Sequence, residues 1–263
     1  MPAAHARTIC TVVADAKSAR VLLQQGNCTE RVTPASTFKI AISLMGYDAG
    51  FLKDEHTPTL PYREGYVDWG GQAWKQPTDP TRWLKYSVVW YSQQVTHALG
   101  EARFAQYAKT FHYGNADVTG DPGEHNGLER AWIGSSLKIS PLEQVRFLET
   151  FLNRELPVSP VAFDMTRRIV ETTPLANGWT VHGKTGMAYP RGADGTQDQR
   201  HPYGWFVGWA TKDGDAARST QDSSTLVFAR LIQDDKKEVG TAGVRAKDAL
   251  LRELPSLVTF PAE

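Results

Sequence analysis

A serine and a lysine three residues apart, Ser36 and Lys39, stand at the start of an apolar segment that runs to Met45. Pro34 favours a helix that begins soon after it, and residues three apart on a helix share one face. The two side chains can therefore meet. A serine is a poor nucleophile until a base removes its proton, and a lysine can be that base only when burial keeps its amine neutral. The pair predicts nucleophilic catalysis by Ser36, with Lys39 as its activating group.

The Ser-x-x-Lys spacing occurs twice, because Ser135 and Lys138 repeat it. Either copy alone is also what an ordinary serine helix cap followed by an exposed lysine would give, so other motifs must decide between them. Three short motifs and one tryptophan follow the first copy, in this order: Ser87-Val88-Val89, Tyr113-Gly114-Asn115, Trp132 and Lys184-Thr185-Gly186.

In their order these motifs resemble those of the class D, or oxacillinase-type, serine β-lactamases. Ser-x-x-Lys followed by Lys-Thr-Gly is shared by serine β-lactamases and penicillin-binding proteins. The class D features are Ser-x-Val, Tyr-Gly-Asn and a Gly-Trp-aromatic-Val-Gly-Trp strand, here Gly204–Trp209. The likeness extends from about Cys10 to Leu257. It selects the first Ser-x-x-Lys copy, because Ser135 follows motifs that should come after the nucleophile.

The resemblance implies a role for each catalytic residue. Ser36 would attack the carbonyl of a β-lactam and become the acyl-enzyme. Lys39 would take up carbon dioxide to form a carbamate, which would serve as general base for acylation and deacylation. Ser87 would pass a proton towards the lactam nitrogen. No cofactor is expected apart from the carbon dioxide or bicarbonate that carbamylates Lys39.

The resemblance also implies two groups of surrounding residues. The expected walls of the carbamate pocket are Phe38, Val89, Trp132 and Ile133. The expected substrate-binding residues are Lys184, Thr185, Gly186, Met187 and Arg245. Lys184 and Thr185 would meet the substrate carboxylate from an edge strand, with Arg245 completing that contact, and the backbone N–H groups of Ser36 and Met187 would form the oxyanion hole. The Trp132 indole N–H can only donate, which suits an anionic carbamate. Tyr113-Gly114-Asn115 is interpreted as structural support beside the site.

These residues need a scaffold, and the pattern of the chain predicts one. Strands are expected within residues 8–33 and again at Trp179–Gly186, Gly204–Ala210 and Thr225–Ala229, with helices between them and at Ala242–Leu254. The predicted fold is α+β: an antiparallel sheet built from N- and C-terminal strands, flanked by helices, with an inserted all-helical region. A single domain would cover residues 1–263, with a sheet lobe at about 8–33 and 177–260 and a helical lobe at about 35–175.

Composition limits the possible partners. The 29 basic and 29 acidic residues cancel, which disfavours nucleic acid, and the apolar runs are too short to span a bilayer. No two of the seven histidines lie within five positions of each other, which disfavours a paired-histidine metal site. Composition thus disfavours nucleic acid, membrane and metal, and the resemblance implies small β-lactam molecules as the partners. The charged loop from Tyr189 to Tyr203 would border the cleft and leaves the substrate range open.

The sequence is compatible with two cellular locations. Residues 1–5 contain no apolar signal region, which fits either a cytosolic protein or a mature secreted form. Cys10 and Cys28 flank a predicted hairpin; a bridge between them would indicate an oxidising compartment, and two free buried thiols are the alternative. The family resemblance implies the periplasm.

Three functions share these motifs. The first is β-lactam hydrolysis, which would confer antibiotic resistance. The second is a β-lactam sensor domain, which is acylated without turnover. The third is a cell-wall transpeptidase or carboxypeptidase, and Val89 argues against it because penicillin-binding proteins usually have asparagine at that position of the motif.

Overall fold

The computed structural model describes residues 6–176, 178–192, 194–212 and 225–257. Residues 1–5, on which the expectation about a signal region rests, lie outside these ranges. The described strands are β1 (Ala6–Asp15), β2 (Val21–Gly26), β3 (Thr172–Pro174), β4 (Trp179–Ala188), β5 (Tyr203–Lys212) and β6 (Thr225–Asp234). They form one antiparallel sheet in the order β2-β1-β6-β5-β4-β3. The first strand of the chain therefore lies beside the last.

The helices occupy the middle of the chain and its C-terminal end. They are α1 (Lys39–Asp48), α2 (Pro80–Tyr86), α3 (Val89–Leu99), α4 (Glu101–Thr110), α5 (Gly127–Arg130), α6 (Pro141–Leu152), α7 (Pro160–Ile169) and α8 (Ala242–Leu257), with 3-10 turns at Ala35–Phe38 and Gly71–Ala73. Helix α8 packs on one face of β4, β5 and β6, and α6 packs on the other side of the sheet. The predicted α+β class and the inserted helical region are confirmed.

The central strands are buried on both faces, and their sequences explain why. Residues 9–14 of β1 and residues 226–232 of β6 are buried without interruption. A strand covered by helices on both sides is a continuous apolar run, whereas a half-exposed strand alternates with polar residues. The larger of the two buried clusters includes residues of β1 together with those of α1, α3 and α6, so the sheet and the inserted helices share a core.

Local signals set several helix ends. Ser140 caps α6 in a complete capping box with Glu143, as the Ser-Pro-Leu-Glu sequence predicts. Helix α7 ends at Ile169, because the chain then turns to form the short strand β3 against β4. Only three residues make this strand, too few for a periodic pattern to reveal it.

Cys10 and Cys28 form a disulfide, which decides between the bridge and the two free thiols. The bond joins the middle of β1 to the segment that leads from β2 towards Ser36. In the part of the chain that the structure describes, no helix has both the length and the apolar character that a bilayer crossing needs.

Candidate active site

Ser36 and Lys39 meet as their spacing predicts, but through a tighter turn than an α-helix. Ser36 lies in the 3-10 turn Ala35–Phe38, and Lys39 is the first residue of α1. The Lys39 Nζ atom lies 3.0 Å from Ser36 Oγ. This is hydrogen-bond distance, so proton transfer between the two groups needs no rearrangement of the chain.

Lys39 is fully buried, at 0% exposure, although its side chain carries an amine. Burial lowers the pKa of this amine well below its usual range, and the nearby Lys184 cation lowers it further. Among the described residues, no carboxylate forms an ion pair with Lys39. Its environment therefore favours the neutral amine, which is the form that can act as a base or a nucleophile.

Aromatic rings from distant parts of the chain pack around Phe38, the residue before Lys39. Phe38 and Trp132 are both fully buried, with ring centroids 6.0 Å apart, and Phe104 lies 6.1 Å from Trp132. Two further residues expected as pocket walls contribute as well: Val89 is buried at the start of α3, and Ile133 is half-buried against the core. Val89 and Ile133 line the cavity beside Ser36, whereas Phe38 and Trp132 pack against each other in the core. The role of these four residues as walls of a carbamate pocket stays a prediction.

The Trp132 side chain has an unusual feature. Its indole Nε1 atom is buried and has no hydrogen-bond partner among the described residues. Most buried polar groups are paired, and an unpaired donor costs about 1–3 kcal/mol. Because an indole N–H can only donate, this atom is suited to donate to an anion beside it.

Ser87 stands at the end of α2 in a left-handed conformation with φ of 58°. This ends the helix and places the serine at the wall of a cavity that Ser36 and Val89 also line. Ser87 therefore ends α2 and lines the cavity beside Ser36, and its part in proton transfer stays a prediction.

The strand β4 forms the opposite wall through Thr185, Gly186 and Met187. Short β3 pairs with residues 180–182 of β4, and among the described residues the second half of β4 has no strand partner on that side. A methyl group at Gly186 would lie 3.0 Å from the Pro34 carbonyl oxygen and 3.3 Å from the Ser36 nitrogen. Only glycine permits this close approach, which brings the Met187 backbone next to the nucleophile.

Lys184 differs from Lys39 in its surroundings, although it too is buried. Burial lowers the pKa of Lys184 to about 8, the Glu171 carboxylate opposes that shift, and Lys247 adds to it. Its Nζ donates to the Thr185 carbonyl oxygen at 3.1 Å. At neutral pH this lysine is mainly a cation, which suits a carboxylate ligand.

The cavity beside Ser36 has a volume of about 320 Å³. Six of its lining residues were not among the predicted site residues: Ala35, Trp69, Gly70, Trp74, Tyr86 and Thr241. Trp69 is 59% exposed, and Trp74 Nε1 donates to the Tyr86 carbonyl oxygen at 2.9 Å. In the sequence, the only indication of these residues was that tryptophans occur in an irregular segment. No periodic pattern placed that segment near Ser36.

Arg245 stands close to its expected place but has another partner. Its Nε donates to Asp234 Oδ1 at 3.1 Å, a second bond joins Nη2 to the same carboxylate, and Nη1 donates to the Val239 carbonyl oxygen. Thr241, four residues earlier, is the neighbour that lines the cavity. The contact of Arg245 with a substrate carboxylate stays a prediction.

The second Ser-x-x-Lys copy does not form a comparable pair. Ser135 Oγ donates to Asp121 Oδ1 at 2.7 Å, and the backbone N–H of Lys138 donates to Asn115. Its lysine is exposed to solvent. The first copy is therefore the one with the geometry for catalysis.

Comparison with known proteins agrees with this geometry. The family model for the penicillin-binding protein transpeptidase domain matches residues 9–255. The sequence is 41% identical over 249 residues to β-lactamase OXA-9 from Klebsiella pneumoniae, covering 95% of this chain and 88% of that relative. The fold matches the crystal structure of OXA-427 class D β-lactamase with a TM-score of 0.85 and 45% identity, covering 94% of this chain and 97% of that one. The chain belongs to the class D β-lactamases.

A regulatory relative shares part of this class D architecture. The chain is 30% identical over 235 residues to regulatory protein BlaR1 from Bacillus licheniformis, covering 85% of this chain but only 33% of that relative. The similarity to OXA-9 is higher and extends over most of both chains. The enzyme branch of the family is therefore favoured over the regulatory one.

The loop after the Lys-Thr-Gly motif of this class D chain lies away from Ser36. Arg191 forms an ion pair with Asp121 at 3.0 Å, and a methyl group at Gly134 would lie 3.8 Å from the Tyr189 carbonyl oxygen. The described part of the loop packs against the segment that follows Trp132. No residue between 189 and 203 lines the cavity among those that the structure describes.

Proposed function

We propose that this protein hydrolyses the β-lactam ring of penicillin-type antibiotics through an acyl-enzyme on Ser36, and so confers resistance to them. The observation that carries the proposal is the buried Lys39 amine 3.0 Å from the Ser36 hydroxyl, in a chain of class D ancestry. The partners of the protein would be small β-lactams. The balance of 29 basic and 29 acidic residues disfavours nucleic acid as a partner.

The first chemical step joins Ser36 to the substrate. Ser36 Oγ forms a bond to the lactam carbonyl carbon, the C–N bond of the ring breaks, and the hydroxyl proton passes to the ring nitrogen by way of Ser87. The negative charge on the carbonyl oxygen is stabilised by the backbone N–H groups of Ser36 and Met187. The Lys184 cation holds the substrate carboxylate. Water then hydrolyses the ester and restores the serine hydroxyl.

We propose that Lys39 works as a carbamate. Its neutral Nζ would form an N–C bond with the carbon of CO2 and release one proton. When present, the carbamate supplies an anionic oxygen base beside Ser36. The residues of the chain fit such a group: Trp132 Nε1 is a buried donor that has no partner among the described residues, and Phe38 and Val89 are apolar and buried. A neutral amine is required for this reaction, which is the form that burial favours at Lys39.

Mixing the protein with a penicillin tests the proposed activity. Ring opening is followed by absorbance and the covalent adduct by mass spectrometry, with Ser36→Ala as the control that should form no adduct. We expect many turnovers for each protein molecule, a loss of activity in carbon-dioxide-free buffer and recovery with bicarbonate. Formation of one adduct for each protein molecule without turnover would instead identify the protein as a β-lactam sensor domain.

A second measurement tests the carbamate without relying on activity. Bicarbonate carrying an isotopic carbon label should give a carbamate carbon signal in the nuclear magnetic resonance spectrum of the protein. We expect the signal to disappear in Lys39→Ala and to persist in Lys138→Ala. A spectrum with no such signal in the unmodified sequence would contradict the carbamate while leaving acylation of Ser36 intact.

We also propose a periplasmic location. The Cys10–Cys28 disulfide supports it, because such bonds persist in oxidising compartments and are rare in the cytosol. Fractionation of cells that express the natural gene should recover the protein with the periplasmic contents. Recovery in the cytosol with both cysteines reduced would contradict this location.

A further inference from the structure

The Tyr113-Gly114-Asn115 motif contributes no residue to the lining of the cavity, among the residues that the structure describes. Its role must be indirect. The Asn115 backbone N–H donates to the Lys138 carbonyl oxygen, and Asn115 Oδ1 accepts from the Lys138 N–H, both at 2.9 Å. Gly114 has φ of 59°, and a methyl group there would lie 2.0 Å from the same carbonyl oxygen. The motif therefore fixes the backbone at Lys138.

That backbone leads directly to the nucleophile turn. Ile139 and Val32 exchange two backbone hydrogen bonds, at 2.9 and 3.1 Å, two residues before Pro34. Ser140 then begins α6 with its capping box. The first turns of α6 are thereby held beside the Ser36 turn, and Gln144, buried at 1% exposure, belongs to them.

Gln144 is the centre of a buried chain of hydrogen bonds. Its Nε2 donates to Thr37 Oγ1 at 2.8 Å, and Thr37 Oγ1 donates to the Pro34 carbonyl oxygen at 2.7 Å. The Tyr113 hydroxyl donates to Gln144 Oε1 at 3.3 Å. The Pro34 carbonyl oxygen can only accept, so the Thr37 hydroxyl donates to it and accepts from Gln144. The Gln144 Oε1 atom then faces Tyr113 and accepts from its hydroxyl. All of these side chains lie in the core, where a hydrogen bond is not weakened by competing water.

The chain of bonds ends on a strained piece of backbone. Ala35 has φ of 50°, in the left-handed region that non-glycine residues avoid, and it is buried. Such a conformation costs on the order of 1–3 kcal/mol and persists only when its surroundings hold it. The Pro34 carbonyl oxygen accepts from both the Thr37 N–H, at 3.2 Å, and the Thr37 hydroxyl. Ser36 lies inside the turn that these two bonds close.

We propose that Thr37 and Gln144 are positioning residues for the nucleophile. They hold the strained turn closed, and this keeps Ser36 Oγ within reach of Lys39 Nζ and beside Gly186 of β4. Tyr113 keeps the Gln144 amide in the orientation that donates to Thr37, which gives the Tyr-Gly-Asn motif a role in acylation. The effect on acylation rests on the proposed function of Ser36.

Replacing the Thr37 hydroxyl by a methyl group tests the proposal with little change of shape. In Thr37→Val the Pro34 carbonyl oxygen loses one donor, so the turn can relax and rotate Ser36 away from its base. We expect the rate of acylation by a penicillin, measured by stopped flow, to fall about 10- to 100-fold, since a displacement of about 1 Å can have effects of this size. Binding before acylation should change by less than about twofold, because the cavity wall is intact.

Two more variants distinguish loss of the hydrogen bonds that position Ser36 from a change in core packing. Thr37→Ser restores the hydroxyl and should return the rate to within about threefold of the original. Gln144→Leu should slow acylation as Thr37→Val does, and the double variant should be little slower than either, because both break one chain of bonds.

The matched control is Thr166→Val. Thr166 Oγ1 accepts from Ser43 Oγ at 2.8 Å, and both hydroxyls are fully buried, but this pair joins α7 to α1 away from the turn. We expect the same order of loss in melting temperature as in Thr37→Val and no change in acylation. Equal slowing in Thr166→Val, or wild-type acylation in folded Thr37→Val, would overturn the proposal.

A second reagent distinguishes this proposal from the proposed function. A fluorophosphonate reacts with an activated serine whether or not the protein hydrolyses β-lactams. If the unmodified sequence reacts with it but not with penicillin, the proposed function fails while the variants still test the positioning role. The expected order of fluorophosphonate rates is the same: Thr37→Val and Gln144→Leu slow, Thr37→Ser and Thr166→Val close to the unmodified sequence.

Discussion

The two Ser-x-x-Lys copies have the same spacing and very different surroundings. Ser36 and Lys39 stand at the start of the buried α1, where their reactive atoms are 3.0 Å apart. Ser135 and Lys138 lie in irregular backbone, where Ser135 binds Asp121 and the lysine is exposed. Spacing places two side chains on one face only when the backbone is helical, and an amine becomes a base only when it is buried. The difference lies in conformation and burial, which the four-residue pattern does not encode.

The largest expected effect comes from removing one lysine of each pair. Lys39→Ala should lower the turnover of a penicillin by about a thousandfold or more, because general-base catalysis contributes roughly 10²–10⁴ in rate. Lys138→Ala should leave turnover unchanged. Steady-state hydrolysis of a chromogenic β-lactam measures both. Undiminished hydrolysis by Lys39→Ala would eliminate the buried amine as the base.

The next largest effect should come from the Trp132 indole N–H, which tests whether a carbamate makes the first pair reactive. Trp132→Phe keeps an aromatic ring against Phe38 but removes the unpaired N–H. Loss of a hydrogen bond to a charged group costs about 1.5–3 kcal/mol, so the bicarbonate concentration for half-maximal activity should rise about 10- to 100-fold. Trp209→Phe is the matched control, since its indole Nε1 is also buried without a partner. The same bicarbonate dependence in both variants would contradict a specific hydrogen bond between Trp132 and the carbamate.

A smaller effect should follow from pH, through the contrast between Lys39 and Lys184. Protonated Lys39 cannot react with CO2, so lowering the pH should reduce activity that bicarbonate restores in part. A lysine with a pKa of about 8 changes from about nine-tenths charged to about one-tenth charged between about pH 7 and about pH 9.

Loss of the Lys184 charge should raise KM in that range by up to about tenfold, because the substrate carboxylate loses its cation. A β-lactam whose carboxylate is esterified serves as the control and should show a smaller rise. If KM stays constant across this range for the free acid, Lys184 does not bind the carboxylate as a cation.

The smallest effect concerns the second copy. Ser135→Ala removes the hydrogen bond to Asp121, which should lower the free energy of unfolding by about 1 kcal/mol. Turnover and acylation should stay as they are. Urea denaturation and the chromogenic assay measure the two quantities, and a loss of turnover without a loss of stability would place Ser135 in the chemistry after all.

Much of the site could be predicted because its chemistry depends on residue type and order. Ser36, Lys39, Ser87 and Lys184 are each in a short motif. Ser36 and Ser87 line one cavity, Lys39 lies 3.0 Å from Ser36, and Thr185, the neighbour of Lys184, lines the same cavity. The apolar run after Lys39 also indicated the burial that changes its pKa. These features are local, so the sequence carries them directly.

Other features depend on contacts between distant parts of the chain. Trp69 and Tyr86 reach the cavity from irregular or helix-ending segments that have no periodic pattern. The ion pair between Arg245 and Asp234 depends on how α8 lies across the end of β6. The closed turn around Ser36 needs Gln144 from α6. None of these follows from spacing, because each is set by three-dimensional packing.

The position of β1 between β2 and β6 has a consequence for how the protein is made. During synthesis the segment bearing Ser36 and Lys39 leaves the ribosome while β4, β5 and β6 have yet to be translated. Until they appear, one side of the apolar β1 has no neighbour and can associate with other chains. The nascent polypeptide is therefore exposed to aggregation until β6 appears, and β4, which lies against the Ser36 turn, is made only after the inserted helices.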